Sequence, residues 1–115
     1  TSGERIMLFK IRQVNGDGFY AGTWTNIDGV STTLEKNDFT LIPIDSQSDR
    51  SSYPTEWEIK VKSQNLNVTA KALNPNSFMN TRIPYWEGPI ILSGSHEGTG
   101  YLEMTGYLSD KLFLR

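Results

Sequence analysis

The residue in this chain whose type and neighbours best suit chemistry is Glu87, set between Tyr85, Trp86 and Gly88 in the stretch YWEGPIILSG. A carboxyl group beside large rings loses solvation in its charged form, so burial there favours the protonated acid. A protonated carboxylic acid facing aromatic surface is what addition of water to an isolated alkene requires: a proton donor, rings to stabilise the cation, and a positioned water. The same residue types serve equally as a hydrogen-bonded rim. Glu103, between Tyr101 and Thr105 on its strand face, offers a second carboxylate, which reads first as a solvated or interface-facing residue.

Other chemistries find less support. The segment Ser93-Gly94-Ser95-His96 puts hydroxyls next to the only histidine, but nucleophilic triads are assembled in space, and sequence adjacency orients nothing. The Gly-x-Ser-x-Gly elbow of serine hydrolases does not occur. His96 has no companions at metal-ligand spacing, and the absence of cysteine removes thiolate chemistry, disulfides and Cys-ligated metals together. Neither a metal nor a cofactor is therefore expected. Asn67-Val68-Thr69 fits a glycosylation sequon, a pattern that also arises by chance. The glycines from Gly94 to Gly100 join two strands rather than opening a helix, so they form no phosphate loop.

The elements that carry these residues read as strands. Arg5 to Arg12 is an apolar run that stops at Asn15-Gly16-Asp17-Gly18, and Phe19 to Asn26 leads through Asp28-Gly29 into Val30 to Leu34 as a tight hairpin. Phe39 to Ile44 is the next strand, followed by a polar loop from Asp45 to Thr55. Glu56 to Lys62 gives the clearest alternation, with Trp57, Ile59 and Val61 on one face and charged residues on the other. Leu66, Val68, Ala70 and Ala72 continue it as a second hairpin, and Leu73 to Ile83 reads as a loop.

The last hairpin contains Gly88, Gly94, Gly98, Gly100 and Gly106, although glycine weakens a strand interior. Matching apolar faces sets Leu92 opposite Leu102 and Ile90 opposite Met104, which pairs Gly88 with Gly106 and Gly94 with Gly100. Paired glycines leave a gap that a sheet bend, a bulky neighbour such as Trp24 or Trp57, or a ligand could take up. The total of about eight strands, with no segment of helical period, fits an all-β, antiparallel up-and-down barrel, in which closure removes exposed edges.

At 115 residues the chain has the length of a single domain, and its 37% hydrophobic and 21% charged residues are those of an ordinary globule. A net charge of −2 with scattered basic residues predicts no nucleic-acid partner. No apolar run reaches the length that spans a bilayer as a helix.

These segments together resemble one family. YWEG, an apolar strand, SG and then GYLEMTGY resemble the C-terminal signature of the AttH/CrtC family, which includes hydroxyneurosporene synthase, a carotenoid hydratase, and proteins described as predicted secreted hydrolases. GERIMLFKIR, DFTLIPI and YPTEWEIKV resemble the family's preceding strands, so the likeness runs through nearly the whole chain. The resemblance implies a lipocalin-like domain at residues 1–115, the second of a tandem pair, with an N-terminal lipocalin-like domain and a Trp-Asp-Trp-Phe strand outside this sequence. It also implies a periplasmic or secreted location.

Three functions stay open. The domain binds a small hydrophobic molecule such as a lipid, an isoprenoid or a polyketide, with Trp24, Trp57, Tyr85, Trp86, Tyr101 and Tyr107 as wall residues. Alternatively it belongs to a hydratase-like or cyclising enzyme that acts with the N-terminal domain, Glu87 being the acid. In the third, the barrel is filled by its own side chains and braces the rest of the protein.

Overall fold

The computed structural model describes residues 3–11, 18–45, 54–79 and 85–105. Nine antiparallel strands occur among them: β1 (Arg5–Ile11), β2 (Phe19–Thr25), β3 (Ser31–Leu34), β4 (Phe39–Asp45), β5 (Glu56–Val61), β6 (Leu66–Ala72), β7 (Phe78–Met79), β8 (Tyr85–Gly94) and β9 (Gly98–Thr105). The only helix among the described residues is a single 3-10 turn at Lys62–Gln64 between β5 and β6, closed by Asn65 in the left-handed region. The turn expected at Asn15 to Asp17 and most of the polar loop after Asp45 lie outside the described residues.

Among the described residues the strands form two antiparallel sheets, and these are not closed into the barrel expected from the sequence. β1, β2 and β3 make one; β4, β5, β6 and β8 run in order through the other, with β7 and β9 also paired to β8. Among the described residues no ladder joins the two sheets. The chain crosses between them at Glu35 to Asp38, where the Asp38 carboxylate accepts the Glu35 N–H at 2.7 Å and the Asp38 N–H returns to the Glu35 carbonyl at 2.9 Å. That closed turn leads β4 away from β3 instead of beside it. The β2–β3 hairpin is tied similarly, by Asn26 Oδ1 accepting the N–H groups of Asp28 and Val30.

Alternation fixes which face of each strand turns inward. In the larger sheet Trp57 pairs with Ala70, Ile59 with Val68 and Val61 with Leu66, so the inner faces of β5 and β6 are apolar at every position. The core consists of two clusters. One gathers Trp57, Ala70, Ala72, Trp86, Ile90 and Met104; the other joins Trp24 and Leu34 of the small sheet to Phe39, Val61, Leu66 and Val68 of the large one. Leu41, Ile59 and Leu92 pack against both and make the core continuous.

The register of the last hairpin differs by four residues from the sequence expectation. Leu92 pairs with Gly98, Ile90 with Gly100, Gly88 with Leu102 and Trp86 with Met104. An even shift keeps every residue on its expected face and changes only what it meets across the strand. Gly88, Gly98 and Gly100 now lie opposite Leu102, Leu92 and Ile90, so branched side chains spread over the space that paired glycines would have left empty. An empty gap would have cost the packing contacts of its lining.

The remaining space at Gly88 is taken by the chain itself. The Pro89 carbonyl accepts the Leu73 N–H, so the proline nitrogen faces the same edge and has no hydrogen to offer there. The ladder breaks at that point: β6 ends at Ala72, and pairing with β8 resumes only at β7, a short strand that the sequence reading placed within a loop. Asn74 to Ser77 folds over the break. A Cβ on Gly88 would lie 2.9 Å from Ser77 Oγ, so the Ser77 side chain fits closest against a residue that has none.

Candidate functional site

The aromatic residues singled out in the sequence separate into two groups. Trp24, Trp57 and Trp86 are buried, Trp86 completely. Trp57 Nε1 donates to the Pro54 carbonyl at 3.1 Å and Trp86 Nε1 to the Pro75 carbonyl at 2.8 Å, so each indole satisfies its one polar atom on a loop folded against it. Burying rings of this size contributes on the order of 4 kcal/mol each to folding. They hold the clusters together from within.

Tyr85, Glu87 and Tyr101 lie on the opposite, outer face of β8 and β9. The Tyr85 hydroxyl donates to Glu87 Oε1 at 3.1 Å, and Glu87 stands directly across from Glu103. Chiefly because its proton is held by the Glu87 carboxylate, and further through desolvation and the nearby charges, the Tyr85 phenol titrates above its ordinary value of 10.0. Tyr101 is 64% exposed on this face. Tyr107 lies outside the described residues. The arrangement places a phenol and a carboxylate in proton-transfer contact on a partly open surface.

Ser95 and His96 are brought together, with 2.9 Å between Ser95 Oγ and His96 Nδ1. Ser95 Oγ also accepts the Asn67 N–H at 2.7 Å, and His96 stands edge-on to Trp24 with 6.2 Å between ring centres. The pair thus fastens the β8–β9 turn to β6 and to the small sheet. Among the described residues no group of three His, Cys, Asp or Glu side chains could hold a metal ion. No helix among them is long and apolar enough to cross a membrane.

A concave site occurs elsewhere, where the end of the small sheet meets the edge strand β4. A cleft of about 270 Å³ is lined by Lys10, Tyr20, Lys36, Asn37, Phe39, Thr40, Leu41 and Ile42. Tyr20 and Phe39 meet edge to face with 6.0 Å between ring centres. Lys10, paired with Tyr20 across β1 and β2, holds its ammonium 5.6 Å from the tyrosine ring centre, and Lys36 from the β3–β4 turn reaches within 6.0 Å of the same ring. A second cleft, of about 200 Å³, lies at the other end of the small sheet among Gly3, Arg5, Thr25, Asn26, Ile27 and Gly29.

Neither cleft is lined by any of the residues chosen from the sequence. One signal for the larger one was legible: Ile6, Leu8 and Lys10 share a strand face, so a lysine continues an apolar row. Its convergence with Tyr20 and Lys36 comes from three separate segments and has no local signature.

The AttH-like family model matches residues 1–107. A crystal structure from Nitrosomonas europaea, of a protein provisionally described as an AttH, superposes with a TM-score of 0.79 at 22% identity. The match covers 92% of this chain and 36% of that one, so the sequence spans little more than a third of the longer protein. No curated protein is significantly similar to the chain.

Proposed function

Since the chain belongs to the AttH-like family, we propose that it is a lipocalin-like domain of a longer protein that binds a small hydrophobic molecule, and that it does so in the cleft between β2 and β4. The observation that carries this reading is the cleft's composition and size: Tyr20, Phe39, Leu41 and Ile42 supply apolar wall around about 270 Å³, just below the roughly 300 Å³ at which small-ligand pockets begin. The two core clusters, by contrast, are filled by the domain's own side chains. Trp24, in the same cluster as Phe39 with Tyr20 and Leu41 packed against it, then backs the wall from within.

Titration of isotope-labelled chain with 1-decanol, a neutral apolar probe, tests the reading. Amide shifts concentrated at Tyr20, Phe39 and Leu41 are expected. Shifts absent at saturating probe, or centred on another face, would remove it.

A second reading is favoured by the outer face of the β1–β2 hairpin, where Met7, Phe9 and Phe19 are each more than half exposed. Such a face suits a domain that packs against the rest of a longer chain. A hydratase-like role for Glu87 would also require that longer chain, because the acid and its Tyr85 partner need apolar cover that this face does not supply by itself. Deuterium exchange of β1 and β2 in the 115-residue chain and in the longer protein distinguishes bracing from independence. Protection gained only in the longer protein supports bracing.

A further inference from the structure

We infer that the ligand of the β2–β4 cleft is peptidic: a short extended segment that adds to the open edge of β4 as a further strand, with its central apolar side chain turned toward Tyr20 and Phe39. The inference rests on the binding role proposed above and specifies the class of molecule that the site takes.

β4 is an edge strand of the larger sheet, with β5 along one side and, among the described residues, no strand along the other. The cleft touches Phe39, Thr40, Leu41 and Ile42 in succession. Neighbouring residues of a strand point to opposite faces, so a space that meets four in a row lies along the backbone edge rather than on one face. Since β5 occupies one edge, the cleft follows the open one.

Pro43 shows which backbone groups face it. In an antiparallel pair alternate residues direct both N–H and C=O to the partner strand, and the residues between them direct both away. Pro43 stands opposite Trp57 and has no N–H to exchange, so it occupies a position of the second kind. Leu41, two residues earlier in an unbroken register, shares that position, and its N–H and C=O turn toward the cleft. Among the described residues neither group has a hydrogen-bond partner on that side.

The small sheet leaves the facing side open. β3 pairs with β2 only from Gly22 to Thr25, so among the described residues no strand lies beyond Phe19 to Ala21 on that edge. A ligand residue set opposite Leu41 shares its face, which is the inner one, and so meets Tyr20 and Phe39. Phe39 to Ile42 spans roughly 10 Å at about 3.3 Å per residue, the length of a three-residue extended peptide. In strand addition of this kind the backbone bonds supply affinity and the inward side chain supplies choice.

The test uses three probes on the 115-residue chain: acetyl-alanyl-leucyl-alaninamide, the same peptide methylated on its leucyl nitrogen, and 1-decanol, each followed by amide shifts and amide exchange. The unmethylated peptide is expected to bind about tenfold more tightly than the methylated one, which loses a backbone hydrogen bond and sets a methyl group against the edge. It should also slow exchange of the Leu41 amide, while that of Ile42, which faces β5, stays unchanged. Decanol should shift the cleft amides without slowing Leu41. Equal binding of the two peptides, or unchanged Leu41 exchange at saturating peptide, would overturn strand addition, and decanol binding would then leave the hydrophobic site standing. If none of the three binds, the site itself is lost, and with it the inference.

Discussion

The β5–β6 and β8–β9 hairpins belong to the same sheet and bury the same kind of face, yet they fill it differently. Along β5 and β6 each inward residue meets another apolar side chain: Trp57 meets Ala70, Ile59 meets Val68, and Val61 meets Leu66. Along β8 and β9 large residues meet glycine: Ile90 faces Gly100, Leu92 faces Gly98 and Leu102 faces Gly88. In the second hairpin the space is completed by chain from elsewhere, Asn74 to Ser77 over Gly88 and the start of β6 against Gly94. The difference shows that an apolar face can be closed either by side chains meeting across a ladder or by thinning one strand until a neighbouring backbone fits. The second route depends on a few anchors.

Trp86→Ala tests the strongest anchor. Trp86 is completely buried, and its indole N–H holds the Pro75 carbonyl of the covering segment. Its removal should lower unfolding free energy by about 3–5 kcal/mol, measured by urea denaturation. A loss below about 1 kcal/mol would mean that the covering segment closes the face without it.

Gly94→Ala should come next. Gly94 has φ +132°, and a Cβ there would lie 2.6 Å from the Asn67 carbonyl oxygen, a backbone atom that β6 pairing holds in place. Strain of this kind costs on the order of 1–3 kcal/mol. Gly100→Ala is the contrast, because its Cβ would make ordinary contact with Ile90 Cγ1 at 3.4 Å. Its effect should stay within about 0.5 kcal/mol. Equal losses at Gly94 and Gly100 in the same denaturation series would dissolve the distinction between glycine needed for backbone approach and glycine tolerated under a side chain.

The two hairpins also mark what the sequence made legible. Existence and facing of the longer strands were readable, because Trp57, Ile59 and Val61 alternate with charged residues and Trp86, Ile90 and Leu92 with more exposed ones, and burial enforces the alternation. Register in β8–β9 was not readable, because an even slip preserves every face and the deciding term was the cavity that paired glycines would have left. β7 escaped notice for a related reason: the break at Pro89 allows only two residues to pair afterwards. The antiparallel all-β class was legible, whereas the division into two sheets depends on the Glu35–Asp38 turn. Of the candidate site, the aromatic types were visible, but burial separates them. Trp24, Trp57 and Trp86 went inward, and the cleft drew on Lys10, Tyr20 and Lys36, which only the fold brings together.

The outer faces extend the contrast to charge. On β5 the Glu58 carboxylate bonds the Lys60 ammonium at 2.7 Å, and Glu56 pairs with Lys71 of β6. On β8 and β9 Glu87 instead faces Glu103, with Tyr85 donating to Glu87. The folded protein therefore holds the Tyr85 proton to higher pH than the unfolded chain does, first through that hydrogen bond. A raised folded value means that this contribution to stability is complete below pH 10.0, the unfolded value, and is lost as pH rises through the folded one. Followed by its ring resonances, Tyr85 should titrate above 10.0, and Glu87→Gln should bring its midpoint back toward that value. Were the midpoint unchanged in that variant, the carboxylate would not be what holds the proton, and the like-charged outer face of β8–β9 would place no special demand on its phenol.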